Sequence, residues 1–329
     1  MRTPKALLAA TLALAGVSTV FTGSASAATG CTWTRGTLPL PAGSTTGSVS
    51  GAANGGWFVG GGSTTDGVRW HGGVAENLGT AFGKQTDLND INSSGVAVGS
   101  TIANSSYDGA VVYRGGQYEK LPVPQGLRMA RAKAVNDAGD IVGMASGIGD
   151  AFDLLLWPAS APGTVQVINP DPAVYSYVSP VDIDEQGRIL IRAQGSELAY
   201  FLREADGSLT KLALKTDYVN AFRGGRISGE ISEAGKWVSV EWDTTGQIVR
   251  RLDVRARETV VDSGTLTSGT YRTADKQYAV GVWDGSALTQ TLLTDPDGDF
   301  AKPVLTDDGV IAVSYFYTGV IATFTRSCS

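Results

Sequence analysis

The sequence predicts an all-β protein, a four-stranded unit repeated seven times around a ring as a seven-bladed β-propeller. Three observations predict it: a recurring turn, a regular spacing, and two termini that complement each other. The turn is clearest in Ala134-Val135-Asn136-Asp137-Ala138-Gly139-Asp140-Ile141-Val142-Gly143, where one apolar run enters an Asn-Asp-x-Gly turn and another leaves it. Ile91-Asn92-Ser93-Ser94-Gly95-Val96-Ala97-Val98-Gly99 and Ile183-Asp184-Glu185-Gln186-Gly187-Arg188-Ile189-Leu190-Ile191 repeat the pattern. Aligned on the turn glycine, the copies fall at Gly56, Gly95, Gly139, Gly187, Gly235, a degenerate turn at Gln277, and Gly309, in steps of 39, 44, 48, 48, 42 and 32 residues. Periods in this range mark stacked or radial repeats. The 43 glycines are spread through the chain and charged residues make up 18% of it, which suits many turns and excludes a collagen-like or linker sequence.

Taken in order, residues 1–27 have the three parts of an export leader. Arg2 and Lys5 give a charged start, Leu7 to Val20 an apolar stretch too short to span a bilayer, and Ala25-Ser26-Ala27 a small-residue cleavage site. The mature chain is expected to begin at Ala28 and to form one domain over 28–329. No later run is long enough for a membrane helix, so an exported, extracellular, soluble protein without membrane insertion is expected. The leader holds two cations and no acid, so the remainder is more negative than the −6 of the whole chain. That balance argues against a nucleic-acid partner.

Each copy follows one plan. Strand a enters the Asn/Asp-x-x-Gly turn, where glycine accepts a positive φ, and strand b leaves it. Strand c often ends in an aromatic, as in Gly67-Val68-Arg69-Trp70, Ala110-Val111-Val112-Tyr113 and Leu154-Leu155-Leu156-Trp157. Strand d follows a second turn, as in Tyr118-Glu119-Lys120-Leu121-Pro122. Four short strands per ~40 to 45 residues is the pattern of a propeller blade. The last copy lacks a strand d, and the N-terminal Trp33-Thr34-Arg35-Gly36-Thr37-Leu38-Pro39-Leu40-Pro41 is a strand d without a blade. The N-terminal segment is therefore expected to close the ring as strand d of the last blade. Cys31 and Cys328 then fall where other blades have a c–d turn, and a disulfide there is worth about 4 to 5 kcal/mol in the loop-entropy picture. One competing role for Cys31 is a lipid anchor, disfavoured by its distance from the apolar stretch.

The recurring Ile-Asn-x-x-Gly-x-x-Val-Gly, followed by an Ala-x-x-Trp/Tyr element, resembles the HAF-type repeats of secreted bacterial proteins. The likeness covers most of the mature chain and is clearest in the second and third copies. It implies a propeller and no particular activity.

Catalytic signatures are sparse. The one histidine, His71, sits in Trp70-His71-Gly72-Gly73, where an exposed c–d turn is expected. No nucleophile elbow, zinc-protease helix motif or Cys-x-x-Cys is present. Paired carboxylates converging on a central channel would suit glycoside cleavage, but such a pair comes from different blades and has no sequence spacing. Asp137, Asp184 and Asp307 read as turn residues. Asp295-Pro296-Asp297-Gly298-Asp299 alternates carboxylates like the start of a calcium loop, yet Phe300 replaces the expected glycine and Thr306 the bidentate Glu; a solvated acidic turn is the plainer reading. No other cofactor is indicated.

Function in a propeller is expected on its connections. The d–a and b–c connections share one end. Candidate ligand-binding residues there are Tyr107 and Asp108 in a long b–c loop, Tyr175 and Tyr177 between the third and fourth copies, and Tyr218, Phe222 and Arg223 between the fourth and fifth. Aromatic faces beside polar groups suit sugars, and packing between blades is the plain alternative for each ring. The expected function is non-enzymatic, lectin-like recognition of a glycan or bacterial surface component. Secreted propeller lectins resemble the targeting subunits of bacterial umbrella-type toxin particles, a likeness of architecture and export alone. The alternatives are an assembly subunit docking on another secreted protein, and a glycoside hydrolase or lyase.

Overall fold

The computed structural model describes residues 30–62, 66–147, 151–216 and 218–328. The leader expected over 1–27, the start at Ala28, and Asp217 lie outside the described residues. Those residues form β-strands and connections, with no helix.

The strand β1 (Cys31–Leu38) comes first. Then β2 (Gly47–Ala53), β3 (Trp57–Gly62), β4 (Gly67–His71) and β5 (Val74–Gly79) form an antiparallel meander, followed by a second in β6 (Gln85–Ile91), β7 (Ala97–Ala103), β8 (Ser106–Arg114) and β9 (Gln117–Lys120). The strands β10 (Arg128–Val135), β11 (Ile141–Ser146), β12 (Phe152–Trp157) and the two-residue β13 (Gln166–Val167) share an eight-stranded sheet with β14 (Tyr175–Ile183), β15 (Ile189–Gly195), β16 (Leu198–Arg203) and β17 (Leu209–Leu212). The two halves of that sheet meet through one parallel pair, Phe152 with Tyr177. Two more meanders follow: β18 (Tyr218–Arg223), β19 (Arg226–Glu233), β20 (Lys236–Trp242), β21 (Ile248–Arg251); and β22 (Ala256–Val261), β23 (Leu266–Arg272), β24 (Tyr278–Asp284), β25 (Ala287–Asp295). The last strands, β26 (Val304–Leu305), β27 (Val310–Ser314) and β28 (Ile321–Cys328), take β1 as their fourth member.

The expected N-terminal strand d is thus β1, paired antiparallel with β28 from Cys31↔Cys328 to Leu38↔Ile321. The two cysteines are joined, with Cα atoms 4.1 Å apart, in the position of a c–d turn. Next to this sheet, Val49 N donates to Ser314 Oγ at 2.8 Å and Gly47 N to Gly319 O at 2.9 Å.

The register of two copies differs from the sequence reading. The turn at Gly235 joins β19 to β20, and the turn near Gln277 joins β23 to β24, so both are b–c turns. The true a–b turns are Arg223-Gly224-Gly225-Arg226 and Asp262-Ser263-Gly264-Thr265. Realigned on Gly225 and Gly264, the steps become 39, 44, 48, 38, 39 and 45 residues. The mistake has a physical source: Ala234 and Gly235 have φ of 49° and 76°, a tight two-residue hairpin that mimics the repeat's glycine turn.

Between neighbouring sheets lie apolar clusters. One joins β6–β9 residues Val98 and Val112 to Ile141, Leu155 and Trp157; another joins Val49, Phe58 and Trp70 to Ala312 and Ile321 of the last sheet. The strand-c tryptophans anchor these contacts. Trp70 Nε1 donates to Pro39 O and Trp157 Nε1 to Pro122 O, both at 2.7 Å, and Trp283 Nε1 to Asp253 Oδ1 at 3.1 Å. Each indole thereby reaches the exit of the preceding sheet's strand d. Burying a ring of this size contributes several kcal/mol, about 3 to 5 by the cost of removing one.

The a–b turns also interlock. Asn92 Oδ1 accepts the amides of Ser94 and Val96 in its own turn, while its Nδ2 donates to Asn136 O of the next turn. Asp137 reaches back to Ser93 N at 2.8 Å, and Glu185 to Asp137 N at 2.6 Å. Asp307 accepts from Ser263 N at 2.6 Å, and Asp308 exchanges bonds with Asn54 and Gly55. In the fifth turn, which lacks the Asn/Asp, Arg226 reaches Asp262 Oδ1 at 2.8 Å instead. Asp137, Asp307 and Asp308 join one turn to another.

The inner strands share a further device. Register shifts fall between Val49/Gly51, Leu88/Asp90, Ala132/Ala134, Pro180/Asp182, Val219/Ala221 and Arg257/Val260, one in each of six a strands. Such bulges re-aim side chains and tighten twist. They also explain the second glycine of the repeat: a Cβ on Gly99 would sit 2.1 Å from Asp87 O, and one on Gly143 2.0 Å from Arg131 O. Strand b lies so close to the bulged backbone that only glycine fits.

Candidate functional site

Where the a strands converge they line a cavity of about 300 Å³, with walls from β2, β6, β10, β14, β18, β22 and the Ala301–Leu305 segment. The bulge side chains stitch its wall. Ser50 Oγ donates to Leu88 O at 2.5 Å, Asn89 Nδ2 to Ala132 O at 2.8 Å, and Asn220 Nδ2 to Thr259 Oγ1 at 3.2 Å. Five charged residues line the same wall: Asp90, Lys133, Asp182 and Arg223 on the a strands, and Lys302 on the Ala301–Leu305 segment.

Asp90 and Asp182 lie deep in the molecule but keep a face toward the cavity. Burial, reinforced by repulsion from Asp182, pushes the Asp90 carboxyl up to about 8, against the pull of the amide of Val135, which donates to Oδ2 at 2.9 Å. Burial pushes Asp182 up to about 6, opposed by the Arg223 guanidinium and the Ile183 amide. Burial works against the Arg223 cation, but Asp307, Asp182, Asp90 and Glu185 outweigh it and hold the guanidinium charged. Burial also lowers Lys302, whose Nζ donates to Asn220 O at 2.9 Å, and Lys133, which faces Asp87. The cavity therefore holds two carboxyls that burial makes reluctant to give up their protons, and the charge of Asp182 strengthens the hold of Asp90.

At the b–c end, arginines stack on aromatic rings of their own and of neighbouring sheets. Arg131 lies 4.4 Å from the Tyr107 ring and 5.7 Å from Phe152; Phe152 meets Tyr177 at 5.0 Å, and Arg192 lies 6.0 Å from Tyr177. Arg131 Nε is buried without a hydrogen-bond partner among the described residues. Further round, Tyr218 meets Trp237 edge-on at 5.0 Å, with Arg255 at 5.7 Å from the indole. Tyr218 is 51% and Trp237 39% exposed. Stacked guanidinium–aromatic pairs contribute about 0.5 to 2 kcal/mol each and hold both partners in place. The belt touches the cavity wall, because Tyr107 bonds Asp87, which attracts Lys133.

The sequence candidates are strand residues rather than loop residues. Asn104 and Ser105, with φ of 51° and 61°, make a two-residue turn that leaves Tyr107 and Asp108 on β8. Tyr175 and Tyr177 are in β14, and Tyr218, Phe222 and Arg223 in β18. The belt includes Tyr107, Tyr177 and Tyr218. Asp108 is held low by its 2.5 Å bond to Lys84. Tyr175 is buried edge-on against Phe201, its hydroxyl donating to Glu197, and Phe222 is fully buried in the core. Arg223 belongs to the cavity, donating to Leu305 O at 3.1 Å. His71 lies exposed at the end of β4, stacked 3.8 Å from Trp57. Asp295, Asp297 and Asp299 are not brought together around a common point: Asp295 Oδ1 accepts the amides of Asp297 and Gly298, and Asp299 Oδ1 that of Tyr317. Among the described residues no three His, Cys, Asp or Glu side chains are grouped to hold a metal ion. The sequence reading missed Asp90, Asp182, Lys302, Trp237 and the arginine partners. Only the exposed strand-start aromatic Trp237 had a local signal, since the others gain meaning from contacts between copies.

The disulfide points to an oxidising, non-cytoplasmic compartment. Among the described residues no helix is long and apolar enough to cross a membrane. No protein-family model matches the chain, and no curated protein matches it in sequence. Solved structures do. One of two prolyl endopeptidases studied for inter-domain dynamics matches with TM-score 0.57 and 13% identity over 87% of this chain and 50% of its own. A puromycin hydrolase S511A mutant complexed with PGG matches with TM-score 0.55 and 14% identity over 86% of this chain and 53% of its own. TolB from Acinetobacter baumannii is a looser likeness, TM-score 0.46 and 10% identity over 83% of this chain and 60% of its own, on which nothing rests. The chain spans about half the length of the two closer solved chains. At these identities the likeness shows the fold: an all-β domain of the β-propeller type.

Proposed function

We propose that this is a secreted recognition protein, a single seven-bladed propeller whose ring is closed by β1, that binds a glycan or bacterial surface component at its b–c end. The blade count is supported by five four-stranded sheets plus the two antiparallel halves of the sixth. Closure is supported by the bonds between the first and last sheets and by their shared apolar cluster. Export is supported by the disulfide and by the leader-like residues 1–27.

The observation that carries the binding reading is the arginine–aromatic belt. Rings fixed by stacked guanidinium groups present flat apolar faces and unused N–H donors, the combination a sugar needs for its C–H faces and hydroxyls. The experiment is a glycan-array and cell-wall pull-down with Trp237→Ala and Tyr218→Ala. Loss of signal by tenfold or more, at unchanged melting temperature, is expected; unchanged binding in both variants overturns the reading. Co-purification of a second secreted protein through the same residues favours the assembly role instead, since Arg and aromatic residues also dominate protein interfaces.

A second reading, cleavage of a glycosidic bond, is favoured by one observation: two carboxyls, Asp90 and Asp182, face the same cavity, and burial raises both, which suits one of them to carry a proton as an acid while the other acts as its partner carboxylate. Its test is the release of reducing ends from cell-wall polysaccharide. Activity lost in both Asp90→Asn and Asp182→Asn supports it, and no release by the unaltered protein excludes it.

A further inference from the structure

A pocket of about 380 Å³ opens at the b–c end of the β22–β25 sheet, between the start of β22, the facing ends of β23 and β24, and the connection that follows β25. Resting on the recognition reading above, we infer that this pocket takes an acidic sugar residue, a pyranose ring bearing a carboxylate. Arg255, Arg257 and Arg272 line it together with Tyr271, Tyr278 and Phe300. The three guanidinium groups are not equivalent. Arg255 is neutralised by Glu230, with Nε 2.7 Å from Oε1. Arg272 lies flat on the Tyr278 ring, 4.1 Å from its centroid, and donates to Tyr278 Oη and to Lys276 O, so no carboxylate balances it. Arg257 has no ion pair among the described residues. The wall's one acid, Glu258, interacts with the Lys302 ammonium of the neighbouring cavity. The pocket thus holds two uncompensated cations in a chain whose net charge is −6, so its sign is set locally.

Two backbone features shape it. Glu258, at the β22 bulge, has φ of 49°, a left-handed conformation rare for a side-chain-bearing residue and concentrated at binding sites. Gly298, with φ of 73°, lies on the Tyr278 ring so closely that a Cβ would be 2.8 Å from it. Gly298 therefore brings the Asp295–Asp299 turn into the wall without any of its three carboxylates lining the pocket, and Tyr278 is held between that turn and Arg272. With both faces covered, Tyr278 offers a pyranose its fixed edge beside the other lining rings Tyr271 and Phe300, and the planar fork of Arg257 matches a carboxylate in two parallel hydrogen bonds.

The test titrates the full protein with tetragalacturonate and with its methyl ester, which keeps the ring and removes the charge. The acid form is expected to bind at least tenfold more tightly than the ester. That gap should collapse in Arg257→Ala, persist in part in Arg257→Lys, and shrink as salt rises. Arg257 is exposed and unpaired, so both variants should fold, and an unchanged melting curve checks it. Equal binding of acid and ester, no effect of Arg257→Ala, or binding of a phosphorylated but not a carboxylated glycan overturns the inference. The broader reading fails separately: it is tested by Trp237→Ala on cell wall, and loss there with Arg257→Ala unaffected leaves recognition standing without the acidic subsite.

Discussion

Replacing both cysteines, Cys31→Ser with Cys328→Ser, removes a crosslink that spans 297 residues of sequence. Evaluated for this loop, the entropy relation gives about 5.7 kcal/mol at 25 °C, above the ~4 to 5 kcal/mol expected from the sequence, and it is the upper limit of what the bridge's loss releases to the unfolded chain. Native bridges commonly deliver less, typically about 2 to 4 kcal/mol, and the β1–β28 ladder stays in place to hold the two ends together. A loss of about 3 to 5 kcal/mol is therefore expected. With an unfolding entropy of about 0.6 kcal/mol/K for roughly 300 ordered residues, the melting temperature falls by about 5 to 8 °C. Near-ultraviolet circular dichroism of the buried tryptophans follows the transition in three samples: oxidised protein, the double variant, and oxidised protein with reductant. The last two should coincide. A double variant that melts within about 1 °C of the oxidised protein refutes the reasoning, because it would mean that the unfolded chain gains no freedom when the bridge is absent.

Other expectations follow from the same contacts. Gly60→Ala should destabilise by about 2 kcal/mol or more, because its Cβ would lie 1.9 Å from Ser48 O, whereas Gly61→Ala, whose nearest neighbour is Ser48 Oγ at 4.0 Å, should be nearly neutral; paired urea melts compare them. Asp90 and Asp182 bind protons more tightly folded than unfolded, so they favour folding below about pH 4 and that contribution is lost as the pH rises through about 6 and then about 8. The urea midpoint of Asp90→Asn should fall less than that of the parent between those limits, and an unchanged slope would show that the carboxyl is not raised. Asp137→Ala removes the acceptor for Ser93 N and should cost about 1 kcal/mol of stability without altering cell-wall binding. Trp70→Ala, which empties a fully buried site and frees Pro39 O, should cost about 3 to 5 kcal/mol by denaturant titration.

The repeated unit was legible because its turn is local chemistry. Asn92 and Asn136 bond to amides two and four residues ahead, and such contacts leave a fixed sequence pattern. The fifth and sixth copies were misaligned for the same reason: Ala234-Gly235 is also a tight glycine turn, between a different pair of strands. Trp242 and Trp283, at the strand-c position of Trp70 and Trp157, mark the correct register and are the cue that outweighs the turn. The binding end was legible only in outline. Tyr107, Tyr177 and Tyr218 stood out as aromatics, but Arg131 lies 24 residues from Tyr107 and Arg255 lies 18 from Trp237, on other sheets. Asp90 and Asp182 looked like ordinary strand-end polar residues; a bulge in each strand turns them inward, and bulges have no reliable sequence signature.

The pairing of β1 with β28 sets an order of events for a chain made from its N-terminus. The earliest described strand is completed only by the last one, so that sheet cannot form during synthesis until β28 has emerged. Until then β1 has no partner, and the wait is the time needed to make the residues between Leu38 and Ile321. That sheet thus stays unfinished during synthesis, and oxidation of Cys31 with Cys328 serves as a chemical record that β28 has found β1. A circular permutant that moves residues 30–45 behind residue 328 abolishes that wait while keeping every strand pair.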